Sequence, residues 1–243
     1  ALIAKHGDYL SRLAEKNNVS LEFEASVAGG IPILRSIKEG LSTNKISKVY
    51  GILNGTTNYI LSEMENTNET FDKVLKKAQN LGYAEPGNPK LDLNGFDALA
   101  KVRILSALAF NNQISKHDCI MEGIENIDLK DIKIANSLNL RIKLLGICEI
   151  IDNKLFETVH PTLVSKNSYI GNVSGVMNAV ITHGKPVGES ILQGEGAGPG
   201  PTSSSLLSDL FSILRGNINN PFGVSSIKRK KIKPFNSDNY KNS

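Results

Sequence analysis

Three carboxylates and one lysine lead into a segment that is otherwise apolar. They are Glu85, Asp92, Asp97 and Lys101, within residues 82–110. Asp97 and Lys101 are four positions apart in the sequence, so on a helix their side chains lie on the same face about one turn apart. Ionised groups are costly to bury unless they are paired or used. This spacing therefore predicts either an ion pair or a functional site.

The neighbours of Lys101 favour a site. The flanking runs DALA and VRIL are apolar, and removal of water makes a lysine's proton easier to release near neutral pH. Three carboxylates that converge near one lysine could bind an ammonium group and steer a proton donor. The plainer alternative is a surface ion pair between Asp97 and Lys101, which contributes only about 0.5 kcal/mol. Spacing alone leaves both open.

Three further loops have sequences that suit charged ligands. NGTTNY at 54–59 places hydroxyls and amides at a helix start, which suits a carboxylate or phosphate, although N-capping by Thr56 or Thr57 explains it equally. EASVAGGIP at 24–32 offers carbonyls that could gather a cation, but a tight turn needs the same glycines. GEGAGPGPT at 194–202 suggests close approach of the backbone to a pyrophosphate, without being the GxGxxG fingerprint.

Strand and helix patterns that alternate around these loops predict an α/β (α+β) fold. Apolar and polar side chains alternate in the stretch at 19–27, as in a half-buried strand. A helix at 32–41 then begins with a proline, where proline is tolerated. A strand at 48–53 and a helix at 58–67 follow.

The rest of the chain predicts more helices and a hairpin. An amphipathic helix covers 70–83 with Thr70 as its cap, and a helix buried on most sides covers 95–110. Two strand-like runs around an Asp-Asn turn indicate a hairpin within 141–165. The remaining predictions are a helix near 128–138, strands at 179–184 and 188–194, and a last helix with the apolar face Leu206, Leu207, Leu210, Phe211 and Leu214.

Composition narrows the class of protein. The chain has 243 residues, 40% of them hydrophobic, and a net charge of only +4, which does not suggest a nucleic-acid partner. Two cysteines without CxxC spacing indicate neither a disulfide framework nor a zinc site. With no long apolar run, we expect a cytoplasmic protein without a membrane partner. The basic run at 228–233 is expected to be part of a solvated tether.

Four motifs occur in order and together resemble the homoserine dehydrogenase family. They are EASVAGGIPILRSIKEGL, GILNGTTNYIL, GYAEPGNPKLDLNGFDALAKVRIL and GEGAGPGPTSS. The resemblance runs from residue 1 to about residue 215. It implies a homodimeric substrate domain with a mixed sheet packed with helices, plus edge pieces of a Rossmann-type nucleotide domain. It also implies reversible oxidation of L-homoserine to L-aspartate 4-semialdehyde in the route to threonine, methionine and isoleucine.

The resemblance also implies roles for residues in the charged segment. Lys101 matches the lysine that acts as general acid and base, protonating the aldehyde oxygen as hydride arrives at the carbon. The matching substrate-binding residues are Glu85, Asp92, Asp97, Gly55 and Thr56. Between Glu85 and Asp92 the loop is one residue longer than the form associated with the family.

A cofactor and a cation are implied in the same way. The cofactor is NAD(P), and Gly198 matches a glycine beside the nicotinamide. Glu24, with the backbone of Val27, Gly29 and Ile31, matches a monovalent-cation site that is expected to hold sodium.

The domain plan follows from the same likeness. Residues 1–27 are expected to end a dinucleotide-binding domain, and residues 28–193 to form the substrate and dimerisation domain. Residues 194–216 would return to the nucleotide domain, and residues 217–243 would link to a regulatory domain. The family's nucleotide-binding half and a second active-site lysine precede the position of Ala1, so we expect an internal piece of an enzyme.

Two other functions are also consistent with the sequence. Lys101 could instead be a Schiff-base nucleophile that acts on a small aldehyde or ketone. Alternatively, the segment could serve only as a dimerisation and substrate-binding module without catalysis. Borohydride trapping and nicotinamide absorbance distinguish these functions from a dehydrogenase.

Overall fold

The computed structural model describes residues 1–87, 89–217 and 220–235. The helices of these residues are α1 (Leu2–Lys16), α2 (Ile33–Arg35), α3 (Gly55–Thr67), α4 (Phe71–Asn80), α5 (Lys90–Leu93), α6 (Phe96–Ala109), α7 (Leu129–Ser137) and α8 (Pro199–Leu214). The strands are β1 (Lys45–Ile52), β2 (Ile120–Met121), β3 (Leu140–Ile151), β4 (Lys154–Ser165), β5 (Met177–Lys185) and β6 (Gly188–Glu195). A π-helical turn, Ser36–Gly40, continues α2.

The strands form one mixed sheet in the order β2-β4-β3-β1-β5-β6. Neighbouring strands are antiparallel except for β2 and β4, which are parallel. The predicted hairpin is confirmed: Asp152 and Asn153 join β3 to β4 with φ of 49° and 58°. Asn and Asp tolerate this left-handed region, and it gives the turn a twist that matches the strands. The predicted α/β class is therefore confirmed.

Helices cover one face of this sheet. α6 packs on β1, β3 and β4, while α3 packs on β3 and β5. α6 is buried on most sides, as predicted, because its apolar residues face both the sheet and neighbouring helices. No helix in the described part of the chain is long and apolar enough to cross a bilayer. The opposite face of the sheet has a second, smaller apolar cluster that includes Ile52, Leu145, Val164, Ile170 and Ile181.

The predicted strand at 19–27 is wrong. The chain instead makes a 3₁₀ turn at Glu24–Ser26. Phe23 and Glu24 are consecutive and both buried, so the alternation in the sequence does not match the alternation of exposure. The Glu24 carboxylate accepts hydrogen bonds from the amides of Leu34 and Arg35. These hydrogen bonds to residues ten and eleven positions away hold the acidic side chain in the interior, and the chain turns here instead of forming a strand.

The solvated tether predicted near the C-terminus is also wrong over residues 220–235. Phe222 is fully buried, and Arg229 is 3% exposed. The guanidinium of Arg229 stacks on the Phe222 ring, 4.0 Å from its centroid, and pairs with Asp8 of α1. Phe235 donates its amide to the carbonyl of Leu155 at 2.8 Å. These residues therefore form a strap from α1 to the edge of the sheet, while residues 236–243 lie outside the described residues.

Helix α8 has its polar side inward. Its buried residues are Ser205, Asp209 and Ser212. Its predicted apolar face is 48% to 70% exposed, in Leu206, Leu207, Leu210, Phe211 and Leu214. An apolar face of this size at the surface is typical of an interaction site.

Candidate active site

The site forms where the end of β1 meets the start of α6. Lys101, in the second turn of α6, donates hydrogen bonds to Asp97 Oδ2 and to the carbonyl of Leu53, both at 2.7 Å. Its side chain is 17% exposed and that of Asp97 is 35% exposed. The ion pair expected from the spacing is therefore present, but it is partly buried and shares the lysine with a backbone carbonyl. An ammonium has three N–H donors, so two are used here and one is left for a ligand.

Asn54 connects the two aspartates, and sequence reasoning missed it. Its Nδ2 donates to Asp92 Oδ1 at 2.9 Å and to Asp97 Oδ2 at 3.1 Å. Its Oδ1 accepts from the amide of Thr57 at 2.9 Å, which makes Asn54 the N-cap of α3. The N-cap is therefore Asn54, two or three positions before the predicted capping residue, Thr56 or Thr57. The preference of asparagine for N-cap positions was the signal in the sequence that pointed to it.

The carboxylates differ in their surroundings. Burial raises the pKa of Asp92 above its ordinary value; the Asn54 hydrogen bond opposes this shift, and the charge of Asp97 adds to it. Glu85 lies exposed on the loop between α4 and α5, and its charge also raises the pKa of Asp92. The structure thus brings together Asp92, Asp97 and Lys101 and places Glu85 at the outer rim.

The start of α3 forms another side of this region. Thr56 donates its hydroxyl hydrogen to the carbonyl of Tyr83 at 2.5 Å, which ties α3 to the loop that carries Glu85. Gly55 approaches a neighbouring backbone closely: a Cβ there would lie 2.6 Å from the carbonyl oxygen of Val176. A larger residue at this position would push α3 away from the connection that precedes β5.

The predicted cation ligands lie in the turn between residues 24 and 31. Both carboxylate oxygens of Glu24 accept backbone amides, from Leu34 at 2.8 Å and from Arg35 at 2.9 Å. Burial raises the pKa of Glu24, and those two hydrogen bonds oppose the shift. The carboxylate is therefore held at the start of α2, where amides and helix dipole favour an anion.

The carbonyls of this turn are partly engaged. The Gly29 carbonyl accepts from the Ser205 hydroxyl at 2.7 Å, and the Ile31 carbonyl accepts from the Ile33 amide at 2.8 Å. Each carbonyl oxygen has a second lone pair, and oxygen donors suit a hard cation. Chemically the donor set fits sodium. The described residues contain no group of three or more His, Cys, Asp or Glu side chains that could hold a metal ion.

The glycine-rich loop before α8 is built for close backbone approach. Gly198 is the N-cap residue of α8, with φ of 110°. A Cβ on Gly196 would lie 2.1 Å from the side-chain amide of Asn178. That amide is buried, and neither its oxygen nor its nitrogen has a hydrogen-bond partner. The loop thus offers a side-chain-free surface beside an unsatisfied buried amide, and these features fit a cofactor that carries its own polar groups.

Comparison with known proteins decides the family. A family profile described as homoserine dehydrogenase matches residues 32–211. The chain belongs to the homoserine dehydrogenase family. The homoserine dehydrogenase of Neisseria gonorrhoeae is 47% identical over 214 residues, which are 88% of this chain and 49% of that protein. The enzyme of Pseudomonas aeruginosa is 43% identical over 221 residues, 91% of this chain and 51% of that protein.

Solved structures agree with the homoserine dehydrogenase assignment. A homoserine dehydrogenase from Thiobacillus denitrificans superposes with a TM-score of 0.91 at 40% identity, over 96% of this chain and 56% of that one. A hyperthermophilic archaeal homoserine dehydrogenase mutant in complex with NADPH has a TM-score of 0.75 at 28% identity, over 88% and 61% of the two chains. The resemblance read from the four motifs is confirmed. The chain spans about half the length of the curated relatives it matches.

Proposed function

We propose that this chain contributes the substrate-binding and proton-transfer half of an NAD(P)-dependent homoserine dehydrogenase. The reaction converts L-homoserine and NAD(P)⁺ to L-aspartate 4-semialdehyde, NAD(P)H and a proton. The observation that supports this most strongly is the geometry of Lys101. Two of its N–H donors are held by Asp97 and the Leu53 carbonyl, so the third can point at one substrate oxygen.

The bound cofactor supplies or accepts the hydride. Lys101 handles the proton at the substrate oxygen: as an ammonium it donates one when the aldehyde is reduced, and as a neutral amine it takes one from the hydroxyl when homoserine is oxidised. Asp97 holds the ammonium of Lys101 in place. Asp92, with Glu85 at the rim, is suited to bind the ammonium group of the amino acid. Asn54 keeps Asp92 and Asp97 at a fixed separation.

The test of this proposal is Lys101→Ala in the chain extended at its N-terminus to the length of its relatives. Turnover of homoserine, followed by nicotinamide absorbance, should fall by about 10²- to 10⁴-fold, the usual contribution of a general acid or base. Cofactor affinity should change little. Lys90→Ala, on the exposed start of α5, removes the same charge nearby and should leave turnover unchanged.

The same experiment separates the alternatives. A Lys101→Ala protein with normal turnover would refute the proton-transfer role. Borohydride in the presence of the semialdehyde should not label Lys101, because its ammonium is engaged by Asp97 and the Leu53 carbonyl rather than free as a nucleophile. Covalent labelling of Lys101 would instead indicate Schiff-base chemistry.

We also propose that the loop containing Gly196 and Gly198 lies against NAD(P). The unsatisfied amide of Asn178 and the absence of side chains on the loop support this contact. Gly196→Ala should force the loop away from Asn178 and weaken cofactor binding, measured by quenching of NADPH fluorescence on titration. Gly200→Ala is a matched control because a Cβ at Gly200 meets nothing within 4 Å. Equal affinity in both variants would contradict the proposal.

Glu24 with the carbonyls of Val27, Gly29 and Ile31 is proposed as a sodium site. Buried oxygen donors beside the cofactor loop support it. Sodium chloride should raise the melting temperature of the wild type more than choline chloride does at the same ionic strength. Glu24→Gln should abolish this difference. A sodium effect that persists in Glu24→Gln would contradict this assignment.

The exposed apolar faces suggest the domain arrangement. We propose that α8, within residues 194–216, and the outer face of α1, within residues 1–27, pack against a nucleotide-binding domain. The α1 face carries Leu2, Tyr9 and Leu13, exposed by 65%, 59% and 43%. In the N-terminally extended chain, amide exchange in α8 should be slower than in this chain. We also propose that residues 217–243 lead to a regulatory domain, with residues 220–235 held against α1 and the edge of the sheet.

A further inference from the structure

A cavity of about 500 Å³ lies between α1, the connection after α6 and the C-terminal strap. It shares no lining residue with the Lys101 site. The ionised groups in its wall are Lys5, Asp8, Arg12, Lys116, Arg229 and Lys231. Small-molecule sites commonly enclose about 300 to 1,000 Å³, so the cavity is large enough for a metabolite.

The charge of this wall is strongly one-sided. Five side chains are formally positive and one is negative, a net of +4. That equals the formal net charge of the entire chain, so the rest of the molecule is balanced. Two histidines, His6 and His117, also line the cavity.

The single carboxylate does not neutralise the cavity. Asp8 Oδ1 accepts from Arg229, and Asp8 Oδ2 accepts from the amide of Ile114 at 3.1 Å. Four cations therefore remain: Lys5, Arg12, Lys116 and Lys231. Within the described residues, none of these four has an ion-pair partner. Like charges gathered around one space repel one another, and a bound anion relieves that repulsion.

The wall is also fixed in place. Arg229 is buried, stacks on Phe222 and donates Nε–H to the Asn112 carbonyl at 3.0 Å. The strap that carries Lys231 is thereby anchored to the connection that carries Lys116. The opposite wall is α1, whose regular turns hold Lys5 and Arg12. The four cations thus come from three separate segments whose backbones the fold holds around one cavity, and their side chains are exposed at its wall.

We propose that this cavity binds a small molecule with two or more phosphate groups. Several separated cations suit a polyanion better than a single carboxylate, and lysine and arginine are the side chains that bind phosphate. Nucleoside polyphosphates and pyrophosphate share this chemistry.

The test is calorimetric titration of this chain with ATP, pyrophosphate, inorganic phosphate and adenosine at constant ionic strength. Saturable one-to-one binding of ATP or pyrophosphate is expected, with phosphate weaker and adenosine not bound. Arg12→Gln and Lys231→Gln should each weaken binding about tenfold or more, since one charge-assisted contact contributes about 1.5 to 3 kcal/mol. Tighter binding of ATP than of pyrophosphate would identify the nucleotide as the ligand class.

A matched control is Lys133→Gln, on the exposed side of α7, which removes the same charge away from the cavity. It should leave the binding constant unchanged. Equal weakening by Lys133→Gln and Lys231→Gln would show general charge attraction and overturn the proposal, as would the absence of saturable binding. Gly196→Ala should also leave pyrophosphate binding intact; loss of binding in that variant would place the ligand at the cofactor loop and likewise overturn it.

Discussion

At the scale of single residues, Asn54 organises the site more than any charged group does. Its amide donates to Asp92 and Asp97 and its oxygen caps α3, so one side chain links three elements. Two carboxylates near each other repel unless a donor lies between them. Asn54 is 6% exposed, which strengthens these hydrogen bonds because little water competes. A neutral amide is thus what keeps the acidic groups around Lys101.

We predict that Asn54→Ala loses both roles while Asn54→Ser loses one. Alanine removes the cap, which costs about 1 kcal/mol of unfolding free energy, and leaves the aspartates without their shared donor. Serine keeps a capping oxygen but is too short to reach both carboxylates. In the extended enzyme, urea unfolding should therefore show lower stability mainly for alanine, and kcat/KM for homoserine should fall in both. A serine variant with unchanged kinetics would show that Asn54 is only a cap.

At the scale of elements, a buried lysine joins the sheet to a helix. Lys143 of β3 is 2% exposed. It donates to Asn58 and Ser62 of α3 and to the carbonyl of Val173, at 3.0, 3.3 and 2.6 Å. All three acceptors are neutral, and the charge of Glu65 only partly opposes the effects of burial and of the nearby Arg141. Burial therefore lowers the pKa of Lys143 to about 8.

This shift predicts an unusual pH dependence of stability. Between about pH 8 and the ordinary lysine value of 10.5, the unfolded chain binds a proton that the folded chain has released. Stability contributed by this group therefore rises with pH across that window, by up to about 3 kcal/mol. The measurement is urea unfolding at pH 7.5 and about 10 for the wild type and Lys143→Met. The rise should be smaller in Lys143→Met and unchanged in Lys133→Met; equal rises in all three would contradict the assignment.

At the scale of the whole molecule, one face of the sheet is not covered by any α-helix of the described residues. On this face a cavity of about 570 Å³ is lined by Tyr50, Leu145, Ile147 and Val164, among others. A sheet face with this much apolar surface is suited to pair with a second copy of itself, because an isologous interface matches the same patch twice. We propose that this face forms the homodimer expected from the family resemblance.

Ile147→Asp should convert the dimer to a monomer, because it places a charge within the proposed interface, where burial without a partner is costly. Ile134→Asp is the control: Ile134 is 60% exposed on α7, away from the sheet face. Sedimentation velocity at micromolar concentrations measures the result. If Ile147→Asp and the wild type sediment at the same rate, the dimer uses another surface or does not form.

The sequence by itself determined the elements whose signals are local and the family whose motifs are ordered. The buried helix α6, the β3–β4 hairpin and the Asp97–Lys101 pair all depend on neighbours within a few positions, so periodicity and spacing were enough. The contacts of Asn54 with Asp92 and Asp97 join positions 38 and 43 residues apart, and no local pattern encodes them. Only tertiary packing determined that Glu24 is buried and accepts the amides at the start of α2, although the sequence around it alternates like a strand. It likewise placed the basic strap against α1, because burying Phe222 and pairing Arg229 with Asp8 outweighs the solvation of a charged segment.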